Sequence, residues 1–345
     1  MFSLQVLLFI KICAIIAFVI FKEKVTLLQN FRKVLPAALA LLLAAGMAAA
    51  SELLHDKEII FPEITAVAVG ALAAPRMPWN TSRTRLLLTI TAAAVTGVGM
   101  VLLVPAALVF RIPLAIICAV VWVALSGTEF LPAVSACVLP VLLGTRSPVY
   151  IGSVAVMTSL ILLAQYILER CGIREKNVFV PVKPDKRLFG LRIRQIAAAS
   201  LICVLPAISK EIFFIAPPLI VAFFEMSKPG SRLMERAPLA VALIVFAAVS
   251  GVLSRFVLTE RLGLPLAVSA AVSCGAVLIA VYRSGLFFPP CGAIATLPLI
   301  IPRGALLRFP FEIAAGTLIF VAAAFALSKE RRIVLRVKKV LRPQN

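Results

Sequence analysis

The chain has 345 residues, 62% of them hydrophobic and 14% charged, with a mean hydropathy of +1.08. That composition excludes an ordinary soluble multidomain protein and makes the bilayer the better solvent. The formal charge of +20 reads as Lys and Arg on cytoplasmic loops and against lipid headgroups, not as a nucleic-acid surface.

Taken in chain order, residues 1–21 are predicted to be an extra N-terminal transmembrane or interfacial helix. They lack the basic start and small-residue cleavage site of a secretory signal, and Lys11 in their middle favours a tilted or shallow position. A basic joint follows (Lys22, Lys24, Arg32, Lys33). A first membrane repeat, 32–168, then holds apolar segments near 34–51, 59–75, 86–104, 112–125, 130–144 and 149–168. A basic connector, 169–194, is rich in turn and charged residues (Pro181, Pro184, Asp185, Lys186, Arg187), which predicts a solvated cytoplasmic loop. The second repeat, 195–328, holds segments near 195–209, 212–227, 237–257, 264–282, 287–302 and 310–328, and a basic cytoplasmic tail, 329–345, closes the chain. The fold class is an all-α polytopic membrane protein, a helical bundle of two tandem six-segment repeats plus one N-terminal helix. The weak alternating pattern of an outer-membrane barrel is absent.

Charge orients the segments. With the joint 22–33 inside, the net acidic joint around Glu52, Asp56 and Glu58 falls outside. The loop 76–85, the connector, Lys228, Arg232, Arg236, Arg283 and the tail fall inside, as the positive-inside bias requires. Arg111, Arg146, Arg303 and Arg308 fall on the other side. The expected location is a bacterial inner membrane, crossed many times. Asn80-Thr81-Ser82 fits a glycosylation acceptor but lies on the inner side, where it is discounted.

The repeats echo each other in order. Lys57-Glu58-Ile59-Ile60-Phe61 returns as Lys210-Glu211-Ile212-Phe213-Phe214, and Ile112-Pro113-Leu114-Ala115 returns as Leu264-Pro265-Leu266-Ala267. Ser126-Gly127 with Phe130 and Pro132 returns as Ser284-Gly285 with Phe288 and Pro290, and Arg146-Ser147-Pro148 returns as Arg308-Phe309-Pro310. An even number of crossings per copy makes the copies parallel. A re-entrant segment would make them inverted, and the sequence leaves both open.

Segments 130–144 and 287–302 are short for a full span of about 20 residues, and each begins at a Ser-Gly joint followed by Phe and Pro. Such paired, Pro-interrupted segments point to a substrate site. The helix after Pro289-Pro290 is expected to offer free N–H groups around Cys291, Gly292 and Ala293, with Gly292 allowing a ligand to approach and the positive helix start drawing an anion. The candidate substrate-binding residues are therefore Ser126, Gly127, Glu129 and Pro132 in the first copy. In the second they are Arg283, Ser284, Gly285, Phe288, Pro289, Pro290, Cys291, Gly292 and Thr296. Each Pro and Gly also has a plain packing role in membrane helices. Four carboxylates, Glu63, Glu129, Glu225 and Glu312, lie in or beside apolar segments, where an isolated charge is costly. Glu129 is the sharpest, because it lies inside the motif. Arg146, Arg303 and Arg308 read as headgroup anchors.

Residues 216–302 resemble the HPP family of integral membrane proteins, named for a His-Pro-Pro motif. The matching pieces are Ala216-Pro217-Pro218, Ser227-Lys228-Pro229-Gly230 and Phe288-Pro289-Pro290-Cys291-Gly292-Ala293 with Thr296-Leu297. The stretch 62–144 is similar in a more diverged form. The resemblance implies a helical-bundle transporter, with plant relatives associated with nitrite movement across the plastid envelope. Phe288 stands where the family has His, so no role of that His carries over.

The expected function is thus a transporter or channel for a small solute, with a preference for an inorganic anion such as nitrite, and with its site between the copies. The alternative is a structural or assembly subunit. An enzyme is not expected. There are two Asp and one His, in a joint, and no HExxH, GxSxG or phosphate-binding loop. Seven cysteines without a CxxC pair read as packing residues, and no metal or cofactor is expected. The expected partners are the solute or ion and the lipid bilayer, with a working monomer favoured over a homo-oligomer.

Overall fold

The computed structural model describes residues 27–183 and 185–340, with side chains described for 34–183 and 185–328; the predicted helix at 1–21 lies outside them. Among the described residues, twelve of thirteen α-helices carry the fold, the other being a single turn at Arg232–Glu235. In the first copy they are α1 (Leu27–Leu53), α2 (Glu63–Ala68, continued by a π-helical turn, Val69–Ala73), α3 (Arg83–Leu103), α4 (Leu108–Leu125), α5 (Pro132–Leu143) and α6 (Pro148–Arg170). In the second they are α7 (Lys186–Ser209), α8 (Pro217–Met226), α9 (Ala237–Ser254, continued as a π-helix, Arg255–Arg261), α10 (Leu266–Ser284), α11 (Pro290–Thr296) and α12 (Phe309–Val340).

Eight of these are long and apolar enough to cross a membrane: α1, α3, α4, α6, α7, α9, α10 and α12. At 1.5 Å per residue, 18 to 25 residues reach about 27–38 Å, which matches a hydrocarbon core of about 30 Å. Their outer faces carry exposed Leu88, Leu103, Phe110, Leu125, Leu201, Leu205 and Phe325. Apolar side chains spread over the outside in this way suit a lipid solvent.

The other four, α2, α5, α8 and α11, are too short to cross and are buried along almost their whole length. The order long, short, long, long, short, long recurs in both copies. Each short helix begins at proline, after Pro62 in α2 and at Pro132, Pro217-Pro218 and Pro289-Pro290 in the others. Proline suits a helix start because its φ is already helical and it has no N–H to leave unpaired. The sequence predicts this break at α5 and α11 and ordinary segments at 59–75 and 212–227; the structure breaks those as well.

The short helices start halfway along the bundle. Gly97, in the outer third of α3, touches the Cys137 carbonyl and the Pro140 ring of α5, and Gly251 of α9 touches the Ala295 carbonyl and Pro298 in the same way. With α3 and α5 running in the same direction, Pro132 falls level with the middle of α3. A side chain at Gly97 or Gly251 would strike a backbone carbonyl, so these positions need glycine.

Contacts define two ends of the bundle. At one end meet the loops 74–82, 126–131 and 227–236 and the connector, which follow or precede the helices rich in Arg. Arg85 donates to the Ser126 carbonyl (2.5 Å), Lys228 pairs with Glu129 (3.8 Å) and Arg236 reaches the Ser284 carbonyl (3.5 Å). At the other end Glu52 accepts from the Leu266 N–H (2.6 Å), Arg308 pairs with Glu211 (3.3 Å) and Arg303 with Glu260 (2.6 Å). Two of the four arginines that broke the charge pattern are thus neutralised by carboxylates; Arg146 is exposed and Arg111 sits in the first turn of α4. Both copies start at the first end, so they run parallel. Within each copy the two short helices point in opposite directions, α2 and α8 toward the first end, α5 and α11 toward the second.

The connector is more ordered than its composition predicts. Arg174 donates to the carbonyls of Leu72 (2.7 Å), Ala74 (2.6 Å) and Gly70 (3.3 Å), which caps the C-terminal end of α2. Burial draws the Arg174 pKa below the usual arginine value, with Glu169 and Tyr282 opposing. Asn177 donates to the Thr81 carbonyl (2.7 Å), Asn80 exchanges hydrogen bonds with Val180, and the Val182 N–H donates to Gly127. The other short helices are finished by comparable means. Arg255 donates to the Pro298 and Ile301 carbonyls at the end of α11, Gln195 donates to Phe224 near the end of α8, and Gly144 takes the left-handed conformation after α5. Cations and donors at these ends satisfy carbonyls that have no helical partner.

Candidate functional site

The four short helices start around one cavity. Its lining is Glu63 and Ala66 of α2, Pro132 and Ser135 of α5, Pro218 and Val221 of α8, and Pro290 and Ala293 of α11 with Pro289 before it. Each helix contributes its first-turn residue and the one three positions on, which share a helix face. The cavity is about 10 Å³, room for about one water. Four helix starts bring four partial positive charges to this point.

Two polar residues, Glu63 and Ser135, stand among the otherwise apolar lining. Glu63 is only 2% exposed, and its Oε1 accepts a hydrogen bond from the Ser135 hydroxyl, which joins α2 to α5. Its Oε2 is buried and has no hydrogen-bond partner. Most burial sites for a carboxylate supply a cation or a full set of donors. Here no Lys or Arg lines the cavity, and the helix starts are all that balances a charge on Glu63.

The expectation of free N–H groups around Cys291, Gly292 and Ala293 is corrected for two of them. The Cys291 N–H donates to the Phe288 carbonyl (3.1 Å) and that of Gly292 to Pro289 (2.9 Å). The other starts tighten in the same way, with Ile64 donating to Phe61, Thr65 to Pro62, Val134 to Leu131 and Leu219 to Ala216. Gly292 is where two helices touch: a side chain there would meet Thr65 of α2 at 3.1 Å. The neighbours are the Thr65 side-chain methyl and, at 3.3 Å, its backbone carbonyl.

Of the residues singled out in the sequence, Pro132, Pro289 and Pro290 line the cavity. Phe288, Cys291 and Thr296 are buried beside it; the Thr296 hydroxyl donates to the Pro62 carbonyl (3.3 Å) and lies 3.4 Å from the Thr65 hydroxyl, which ties α11 to α2. The remaining candidates are not brought into it. Ser126, Gly127, Ser284 and Gly285 form the turns that end α4 and α10, with Gly127 (φ 60°) and Gly285 (φ 64°) in the left-handed region that glycine adopts at no steric cost. Arg283 is exposed at the same end. Glu129, read as the sharpest carboxylate, sits at the bundle end and pairs with Lys228, both partly exposed. Glu225 is buried at the end of α8 and accepts from Trp79 Nε1 (2.9 Å), a contact between the copies. Glu312 lies in the first turn of α12, near the opposite end.

The residues missed as a unit are Glu63 with Ser135, and Pro218. A signal for them was present: Pro62-Glu63 and Pro217-Pro218 both open apolar runs just after the Lys-Glu-Ile echo. Among the described residues no group of His, Cys, Asp and Glu could hold a metal ion.

No family model, curated protein or solved structure matches this chain. The HPP-like pieces therefore stand as a likeness of motifs, and the cavity is interpreted from its own chemistry.

Proposed function

We propose that this protein is a membrane carrier for a small solute, of the class of inorganic anions such as nitrite or nitrate, and that the cavity between the four short helices is its site. The observation that carries this reading is the meeting of four broken helices, two from each copy, halfway along a bundle of long apolar helices. Discontinuous helices that start at the middle of a duplicated bundle are how many carriers hold their solutes away from lipid. The four positive helix ends favour an anion, and because the cavity holds about one water, a solute of three or four heavy atoms would enter only after the short helices move apart.

One observation favours the alternative of a structural or assembly subunit: the cavity is very small and its walls are mostly proline and alanine. Uptake into liposomes separates the two. Purified protein is tested with nitrate, nitrite, chloride, formate and uncharged solutes, beside Ala293→Leu, which fills the cavity from a helical position. Saturable uptake lost in a folded Ala293→Leu supports the carrier and its site. No flux of any solute through correctly inserted wild type supports the structural subunit. Equal flux in both proteins keeps transport and moves the site elsewhere.

A further inference from the structure

We propose that Glu63 is a proton-binding site of this carrier, so that one proton travels with each anion. The inference rests on the carrier reading above and deepens it. Glu63 lines the cavity, with one oxygen bonded to Ser135 and the other buried and unpartnered. The prolines that make up much of the lining have no N–H to offer it, and several N–H groups of the first turns are already given to carbonyls.

The groups around Glu63 leave its charge without a counter-ion. α5 presents Ser135 and Cys137. α6 presents Tyr150, whose ring packs on Phe61 and whose hydroxyl donates to the Ala136 carbonyl (3.0 Å). α11 presents Cys291, and α8 holds Glu225 at its far end, bonded to Trp79. The charged residues of the other neighbouring elements lie at the bundle ends: Glu52 in the last turn of α1, Asp56, Lys57 and Glu58 in the joint, Glu169 and Arg170 at the end of α6.

A metal ion does not fit. Magnesium and calcium ions need about six oxygen ligands, and Glu63 and Ser135 are the lining residues that carry side-chain oxygens. A proton needs only the free carboxyl oxygen. The anion then sets the order. Two negative charges cannot share a space of about one water, so an anion binds when Glu63 Oε2 has taken a proton from water. Both leave together on the other side, the proton returning to water. No electrons move, and the coupled species are one H⁺ and one monovalent anion.

The test uses the full chain in liposomes with nitrate as the probe and a pH dye inside. Wild type is expected to carry nitrate faster when the outside is acid, and to acidify the interior by one proton per nitrate. Its half-saturating nitrate concentration should rise about tenfold per pH unit on the alkaline side of the profile, as one linked proton requires. Glu63→Gln, a neutral isostere, should carry nitrate with a flat pH profile and no proton movement. If that variant does not insert, Ser135→Ala is the second test. It removes the hydroxyl bonded to the carboxylate and should shift the pH midpoint, and an unmoved midpoint overturns the proposal. Proton-coupled nitrate uptake unchanged in Glu63→Gln also overturns it, as does nitrate uptake by wild type without proton movement; in both cases the carrier reading survives. No solute flux at all in wild type defeats the carrier reading and this proposal with it.

Discussion

The first copy meets the central cavity with Glu63, Ala66, Pro132 and Ser135; the second meets it with Pro218, Val221, Pro290 and Ala293, in the same order along the chain. The backbones correspond closely. Gly97 against Cys137 and Pro140 is repeated by Gly251 against Ala295 and Pro298, and the left-handed Gly127 by Gly285. The chemistry differs. One half holds a carboxyl and a hydroxyl bonded to each other, and the equivalent positions in the other are Pro218 and Ala293. The difference teaches that packing constrains both copies equally, because a helix that stops halfway needs a glycine neighbour and a capped end wherever it occurs. The polar pair occurs once, and two buried carboxylates facing each other across so small a space would repel.

The most damaging test of the correspondence is Gly97→Val and Gly251→Val. Each side chain would press on a backbone carbonyl, and each should cost about 3 kcal/mol, read as a fall in thermal midpoint in detergent. Tolerance of one and not the other would break the equivalence of the copies. Next is Arg174→Ala. It strands carbonyls at the end of α2 and should destabilise by about 2 kcal/mol, with Arg255→Ala doing the same for α11. A smaller loss in Arg174→Ala than in a surface Arg variant such as Arg76→Ala would remove the capping argument. The comparison is sharpened by moving the carboxyl across the cavity. Glu63→Gln with Pro218→Glu should regain the roughly tenfold-per-pH-unit dependence of nitrate uptake, about 1.4 kcal/mol, that Glu63→Gln lacks. A flat profile in the double variant would show that the side chain's position matters as well as its presence. The smallest effect belongs to Lys228→Ala. Its pair with Glu129 is 3.8 Å long and partly exposed, so stability should change by less than about 0.5 kcal/mol.

Much of this architecture is written in the sequence at short range. Apolar runs mark the long helices, and Pro132 and Pro289-Pro290 mark two of the helix starts on the cavity. Glu129 misled because its position in the chain, beside the motif, differs from its position in space, at the bundle end beside Lys228. Glu63 was visible as a costly carboxylate but had no visible partner, because Ser135 reaches it only once α2 and α5 pack together. Where α2 and α8 stop is also set at long range. Arg174 finishes α2 from the connector and Gln195 finishes α8 from α7. No local pattern encodes a cap delivered from so far along the chain.

The connector's bonds carry a practical consequence. Arg174, Asn177, Val180 and Val182 all fasten to the first copy, while Asp185 already belongs to the second, as the cap of α7. A polypeptide severed between Lys183 and Asp185 would keep every one of those bonds within its first fragment. The two pieces, made as separate chains in one cell, should find each other through Trp79–Glu225 and Lys228–Glu129 and rebuild a complete protein, whereas a cut before Arg174 should leave the first piece frayed at α2 and unable to complement.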